Sequence, residues 1–179
     1  MHATLADAVA DTAQNSIEAG AKNVSVSIDE SGGLISVEIR DDGKGMDEAT
    51  ASRAFDPFYT EPGKHDKRRV GLGLPIIKQM CESCGGKVSL QSRKGEGTTL
   101  RYGLESSNID RPPMGDLAGM VLTLFNYPGD FDLVFSHSRG GEAYSISRRE
   151  LDEAVGGLAS VAGLALAKEF LESQEAALP

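Results

Sequence analysis

The sequence predicts an α+β fold with helices layered on one face of a sheet. Three observations carry that prediction. Leu5, Val9, Ala13 and Ile17 recur at four-residue spacing, the stripe of an amphipathic helix. Two pairs of alternating apolar and polar runs follow, each pair divided by a Gly-containing turn. The elements come in the order helix, two strands, helix, loop, helix, two strands, not as a regular strand–helix alternation.

Taken in order, the first helix stops at Gly20, a residue suited to a C-cap. Residues 24–28 and 34–39 alternate, and Asp29-Glu-Ser-Gly-Gly33 between them supplies the turn of a hairpin. Asp41-Asp42-Gly43-Lys44-Gly45 follows, then a short helix from Asp47 and an irregular stretch over 56–70. A helix over 72–84 is broken by Gly85-Gly86, and residues 87–91 and 98–104 form a second hairpin. Polar residues ending in Pro112-Pro113 make 108–115 a linker between an N-terminal domain, 1–107, and a small α+β domain, 116–179. Charge shifts at the same place, from net −3 over 1–107 to net −6 beyond. The second part reads as strands at 118–126, 131–137 and 142–147, then a helix from Arg148 with Ser147 and Glu150 as its capping box. That last helix is apolar nearly all round, which calls for burial on its own strands or against a second copy, and Gly156-Gly157 can break it in two.

Composition removes several classes. With 40% hydrophobic and 25% charged residues, the chain can build a core. No apolar run approaches the roughly 17–25 residues of a membrane span, and the acidic start lacks a signal peptide's basic region. Two Cys make no disulfide framework, so a reducing, cytoplasmic setting is expected. A net charge of −9 argues against nucleic acid as a partner. Gly is in excess, 21 of 179 residues against a usual ~7%. Such an excess marks sharp turns or close backbone approach.

Four elements suit a nucleotide, although each has a plainer reading. Asp11 and Asn15 lie one helical turn apart, able to share a hard cation or a water, or simply forming a solvated face. Asp41-Asp42-Gly43-Lys44-Gly45-Met46 follows a strand, where a carboxylate and bare backbone can meet a flat ligand, or make an ordinary turn. Gly71-Leu72-Gly73 opens a helix, an anion site by its free N–H groups, or loop punctuation. Gly95-Glu-Gly97-Thr98 is a hairpin turn with a hydroxyl nearby. No Walker A motif is present. Cys81-Glu-Ser-Cys84 lies on an apolar helix, where Cys acts as a small buried hydrophobe, with redox or metal chemistry as the other reading. His137 offers no role by its neighbours.

In order and spacing these elements resemble the Bergerat-fold ATP-binding domain of the GHKL superfamily, which includes histidine kinases, type II topoisomerases, Hsp90-type chaperones and MutL-type mismatch-repair ATPases. Phe55-Asp-Pro-Phe-Tyr-Thr60 looks like the F box of histidine kinases. The resemblance covers about residues 1–105 and implies a two-layer α/β sandwich, a mixed sheet with helices on one face. It implies that Asn15 ligates Mg²⁺, that Asp41 takes the adenine amino group, and that Gly43, Gly45 and Met46 complete the first Gly box. Gly71, Leu72 and Gly73 would contact phosphates, with Thr98 near the adenine. The stretch from the F box to Gly73, which carries Lys64, His65, Lys67, Arg68 and Arg69, would be a locally basic lid over the triphosphate.

Asp11 stands where hydrolysing members carry a Glu base, so it is the candidate base, with a shorter side chain. No room precedes the first helix for a phospho-acceptor domain, so the expected acceptor is another protein. Two functions follow: slow hydrolysis or phosphotransfer to a separate protein, or an ATP-gated protein-binding module of the anti-sigma-factor-kinase kind with little turnover. A mismatch-repair-like role fits the acidic charge poorly.

Overall fold

The computed structural model describes residues 3–58 and 73–179. Helix α1 (Leu5–Glu18) opens on a closed capping box: the Thr4 hydroxyl accepts from the Asp7 N–H, and the Asp7 carboxylate accepts from the Thr4 N–H. Its stripe of Leu5, Val9, Ala13 and Ile17 is buried, as the spacing predicts. Strands β1 (Asn23–Ser31) and β2 (Leu34–Asp41) form the first hairpin, with Ser31 opposite Leu34. Asp47 caps the short helix α2 (Glu48–Arg53). Helix α3 (Gly73–Ser83) leads into the second hairpin, β3 (Val88–Arg93) and β4 (Gly97–Glu105). The chain continues through α4 (Leu117–Phe125), β5 (Asp132–Arg139), β6 (Glu142–Ser147), α5 (Arg148–Ala154) and α6 (Val161–Ala177).

The six strands of the described residues lie in one sheet of order β3-β4-β2-β1-β5-β6. Only β5 against β1 is parallel, so the sheet is mixed. Val26, Val37, Leu100, Leu104, Leu133 and Phe135 point to a buried face, while Ser25, Ser36 and Arg101 point to water. That alternation is what a sheet covered on one side requires. α1, α3, α4 and α6 provide the cover, with α4 seated between α1 and α6. The two-layer α+β class predicted from the sequence is the observed one.

Two expectations for residues 116–179 need correction. The strand expected at 118–126 is helix α4, and two strands, not three antiparallel ones, are present. A short apolar run does not distinguish strand from buried helix by its pattern. Asp116 decides the outcome locally, its side chain accepting from the Gly119 N–H as an N-cap. The last helix is indeed broken, with Gly156 and Gly157 both left-handed between α5 and α6. It is not buried all round: α6 buries Gly163, Ala167 and Leu171, while Val161 is 86% and Leu166 53% exposed. The capping box of Ser147 and Glu150 is present at the start of α5.

Candidate active site

The register of β2 against β4 sets Asp41 directly beside Thr98. Asp41 is buried, and a buried carboxylate needs donors. Ser16 of α1 donates its hydroxyl to Oδ2 at 2.7 Å, and the Gly43 N–H donates to Oδ1 at 2.9 Å. A carboxylate has about four lone-pair positions, so each oxygen keeps capacity for a ligand's N–H. Asp42 turns the other way and accepts from the Asn23 side chain and from the Asn23 and Lys22 N–H groups. Those bonds, the Asn23 amide foremost, hold the Asp42 carboxyl below its ordinary range and tie the end of β2 to the start of β1.

The Gly-rich turn after Asp41 is pressed against the β3–β4 hairpin. Gly45 has φ +60°, and a Cβ there would stand 2.0 Å from the Arg93 carbonyl oxygen. Gly97 has φ +103°, and its Cβ would stand 2.0 Å from the Asp41 carbonyl oxygen. Both glycines thus answer to close approach between two backbones of the protein itself. The Gly95 N–H donates to the Lys44 carbonyl at 2.7 Å across the same seam. Ser92 completes it, accepting from the Met46 N–H and lying 2.8 Å from the Thr98 hydroxyl. Met46 itself lines a cleft of about 510 Å³ between α2 and β3, with Ala51, Leu90 and Ser92. Asp41 and Thr98 are not among that cleft's walls, so it adjoins the Asp41 site without forming its floor.

Asp11 and Asn15 share one face of α1, Asp11 half-buried and Asn15 exposed. The first residue of α3 abuts Asp11, since a Cβ on Gly73 would lie 2.7 Å from Asp11 Oδ2. Gly71, Leu72 and the basic stretch with Lys64, His65, Lys67, Arg68 and Arg69 lie outside the described residues. The structure therefore brings together Asp41, Gly43, Gly45 and Thr98 at the sheet edge of α1, and Asp11 with Gly73 farther along that helix. Sequence reasoning missed Ser16 and Ser92. Each had a signal: Thr12 and Ser16 are polar positions one turn apart on the buried face of α1, and Ser92 follows Val88 and Leu90 in the inward phase of β3.

The Cys pair sits in the core. Cys81 and Cys84 are both buried free thiols, and burial pushes the Cys81 thiol up to about 11. Among the described residues no group of three His, Cys, Asp or Glu could hold a metal ion, and no helix is long and apolar enough to cross a membrane.

The chain is similar to several known proteins. The chain is 32% identical over 93 residues to the sensor histidine kinase WalK of Bacillus subtilis, covering 49% of this chain and 15% of that one. It is 36% identical over 95 residues to the sensor histidine kinase AruS of Pseudomonas aeruginosa, 49% of this chain and 9% of that one. The match to the Bacillus subtilis sensor histidine kinase YxdK is 34% over 67 residues, and the chain spans about a fifth or less of the length of all three. In fold, 90% of the chain superposes on 58% of the N-terminal domain of a DNA repair protein, with a TM-score of 0.58 at 16% identity. Residues 2–107, more than half of the chain, match the model of the histidine kinase-, DNA gyrase B- and HSP90-like ATPases, and the protein belongs to that family, with a histidine-kinase-like ATPase domain.

Proposed function

We propose that this protein binds Mg²⁺-ATP at the end of β2 and either hydrolyses it slowly or passes its phosphoryl group to a separate protein. The observation that carries the reading is the buried Asp41 carboxylate, fixed by Ser16 and the Gly43 N–H beside Thr98. A carboxylate held this way accepts an exocyclic amino group and rejects a carbonyl at the same place. In the proposal Asp41 and Thr98 take the base, Gly43, Gly45 and Met46 shape the turn beside it, and Gly71, Leu72 and Gly73 take phosphate oxygens. The side-chain oxygen of Asn15 suits Mg²⁺, which prefers oxygen ligands and is commonly held by one or two protein groups plus phosphates. Mg²⁺ would supply charge neutralisation on the phosphates. Asp11, beside the first residue of α3, would be the candidate base for an attacking water in the hydrolytic reading. His137 is wholly enclosed and so unsuited to accept a phosphoryl group.

Calorimetry with ATP and Mg²⁺ tests the reading. Asp41→Asn presents a donor where an acceptor is needed, and should weaken ATP binding by about 10–100-fold with the far-ultraviolet circular dichroism unchanged. Unchanged affinity would refute the nucleotide assignment. A second reading, an ATP-gated protein-binding module, has one observation in its favour: the exposed apolar residues Val161, Leu166 and Phe170 on α6. Steady ATP turnover lost in Asp11→Asn with binding retained favours the enzyme; tight binding without turnover favours the module.

A further inference from the structure

His137 on β5 has no exposed surface, and each ring nitrogen faces a carboxylate. Nε2 lies 3.0 Å from Glu30 on β1, and Nδ1 lies 3.0 Å from Glu175 near the end of α6. Tyr144 on β6 donates its hydroxyl to the same Glu175. Arg139 of β5 stands 3.6 Å from Glu30 and donates to the Leu178 carbonyl, just past α6, at 2.8 Å. Three strands and one helix meet at a single imidazole. The titratable and charged groups facing it are Glu30 from β1, Arg139 from β5, Tyr144 from β6 and Glu175 from α6, while Asp29 of β1 lies on the opposite sheet face and accepts from Ser31 and Ser138. α4, which packs on α6, contains no titratable residue.

Charge and donor counts agree on the state of the ring. Glu30 and Glu175 bring two negative charges and Arg139 one positive, so an imidazolium brings the set to neutrality. A neutral ring has one N–H, so one carboxylate would face a lone pair at 3.0 Å. Toward the end of α6 the apolar hold rests on Leu171 and, just past the helix, Leu178. We infer that this cluster is a proton-operated latch fastening the end of α6 to the sheet, closed while both His137 nitrogens carry protons and loosened when one leaves. Burial opposes the charged ring, but the hydrogen bonds and charges of Glu175, then Glu30, outweigh it and hold His137 above its ordinary range. A raised histidine contributes stability fully present below its unfolded value, near 6.5, and lost as pH rises through the folded value. Burial also opposes the Glu175 charge, yet His137 and Tyr144 overcome it and hold that carboxyl low. Its contribution is present above the unfolded carboxyl range and is lost as pH falls through the folded value. The latch is therefore strongest between the two titrations and opens on the alkaline side through His137.

Hydrogen exchange by mass spectrometry on the full chain tests this, from pH 6 to pH 9 with correction for intrinsic rates. Amides in the last two turns of α6 should lose protection roughly tenfold as His137 titrates, the worth of one charge-assisted hydrogen bond, while β2 and β4 keep theirs. Nitrogen NMR of the ring at pH 6 should show both nitrogens protonated. Glu175→Gln, at a partly exposed position, should lower α6 protection at pH 6 and flatten its pH response; His137→Gln should do the same if it folds. Protection of α6 independent of pH, a singly protonated ring at pH 6, an unchanged pH response in Glu175→Gln, or loss in β2 and β4 together with α6 would each overturn the latch.

Discussion

A buried carboxylate is only as useful as the groups that aim it. Ser16 Oγ and the Gly43 N–H take one Asp41 oxygen each, which fixes the plane of the carboxyl group. Under the proposed function Ser16 is a positioning residue. Ser16→Ala removes one hydrogen bond of about 1–1.5 kcal/mol, so ATP affinity should fall by about 5–10-fold, and Ser16→Thr should restore part of it. An unchanged dissociation constant in calorimetry would show that Gly43 alone suffices to orient Asp41. Gly45 sets a different constraint, since a side chain there meets the Arg93 carbonyl and requires a left-handed backbone. Gly45→Ala should lower stability by about 1–3 kcal/mol, read as the midpoint of urea unfolding. At this scale the residues named from sequence were those whose chemistry is visible in a string: the acid, the amide and the glycines. Ser16 and Ser92 were not legible in the same way, because a serine acquires meaning only from the element facing it. The excess of glycine also changes meaning here. Gly45 and Gly97 serve two protein backbones that nearly touch, a constraint that precedes any ligand.

Elements with one covered face were readable, and elements with two were not. α1 shows a four-residue stripe because one side meets the sheet and the other meets water. β1, β2 and β4 alternate for the same reason. α4 lies between α1, α6 and the sheet, so Leu117, Ala118, Met120, Val121, Leu124 and Phe125 are all buried and the period vanishes. α6 misleads in the opposite direction, being apolar on faces that meet water at Val161 and Leu166. α3 offers a sharper test. Cys81 of α3 and Cys84 just past its end are both buried, and burial pushes the Cys81 thiol up to about 11, away from the thiolate needed for reaction. A colorimetric thiol reagent at pH 7.5 should find no reactive cysteine in the native protein and both after unfolding. Rapid native labelling would return the Cys-x-x-Cys pair to redox chemistry.

On the scale of the whole molecule, the family match ends at residue 107 but the sheet does not. β5 pairs with β1 along eight residue positions, from Asn23 opposite Asp132 to Glu30 opposite Arg139. The linker itself is held, with the Leu5 and Ala6 N–H groups donating to the carbonyls of Pro113 and Met114. Tyr127 donates to Glu18 at 2.6 Å, and Arg148 donates to the carbonyls of Phe125 and Phe131 while its guanidinium lies 4.4 Å from the Phe131 ring centroid. One continuous core cluster runs from Leu5 through Phe135 to Leu171. A chain of residues 1–107 alone would leave the β1 edge unpaired and strip α4 from the side of α1. An uncovered edge strand of eight or nine residues invites pairing with another chain. The shorter chain should therefore melt at least about 5–10 °C below the full protein or form soluble aggregates, detected by calorimetry and light scattering. Because α1 carries Asp11, Asn15 and Ser16, its ATP affinity should fall along with its stability. Equal melting temperature and equal affinity in the two chains would make residue 110 a true domain boundary, and the shared sheet an accretion on a self-sufficient ATPase domain.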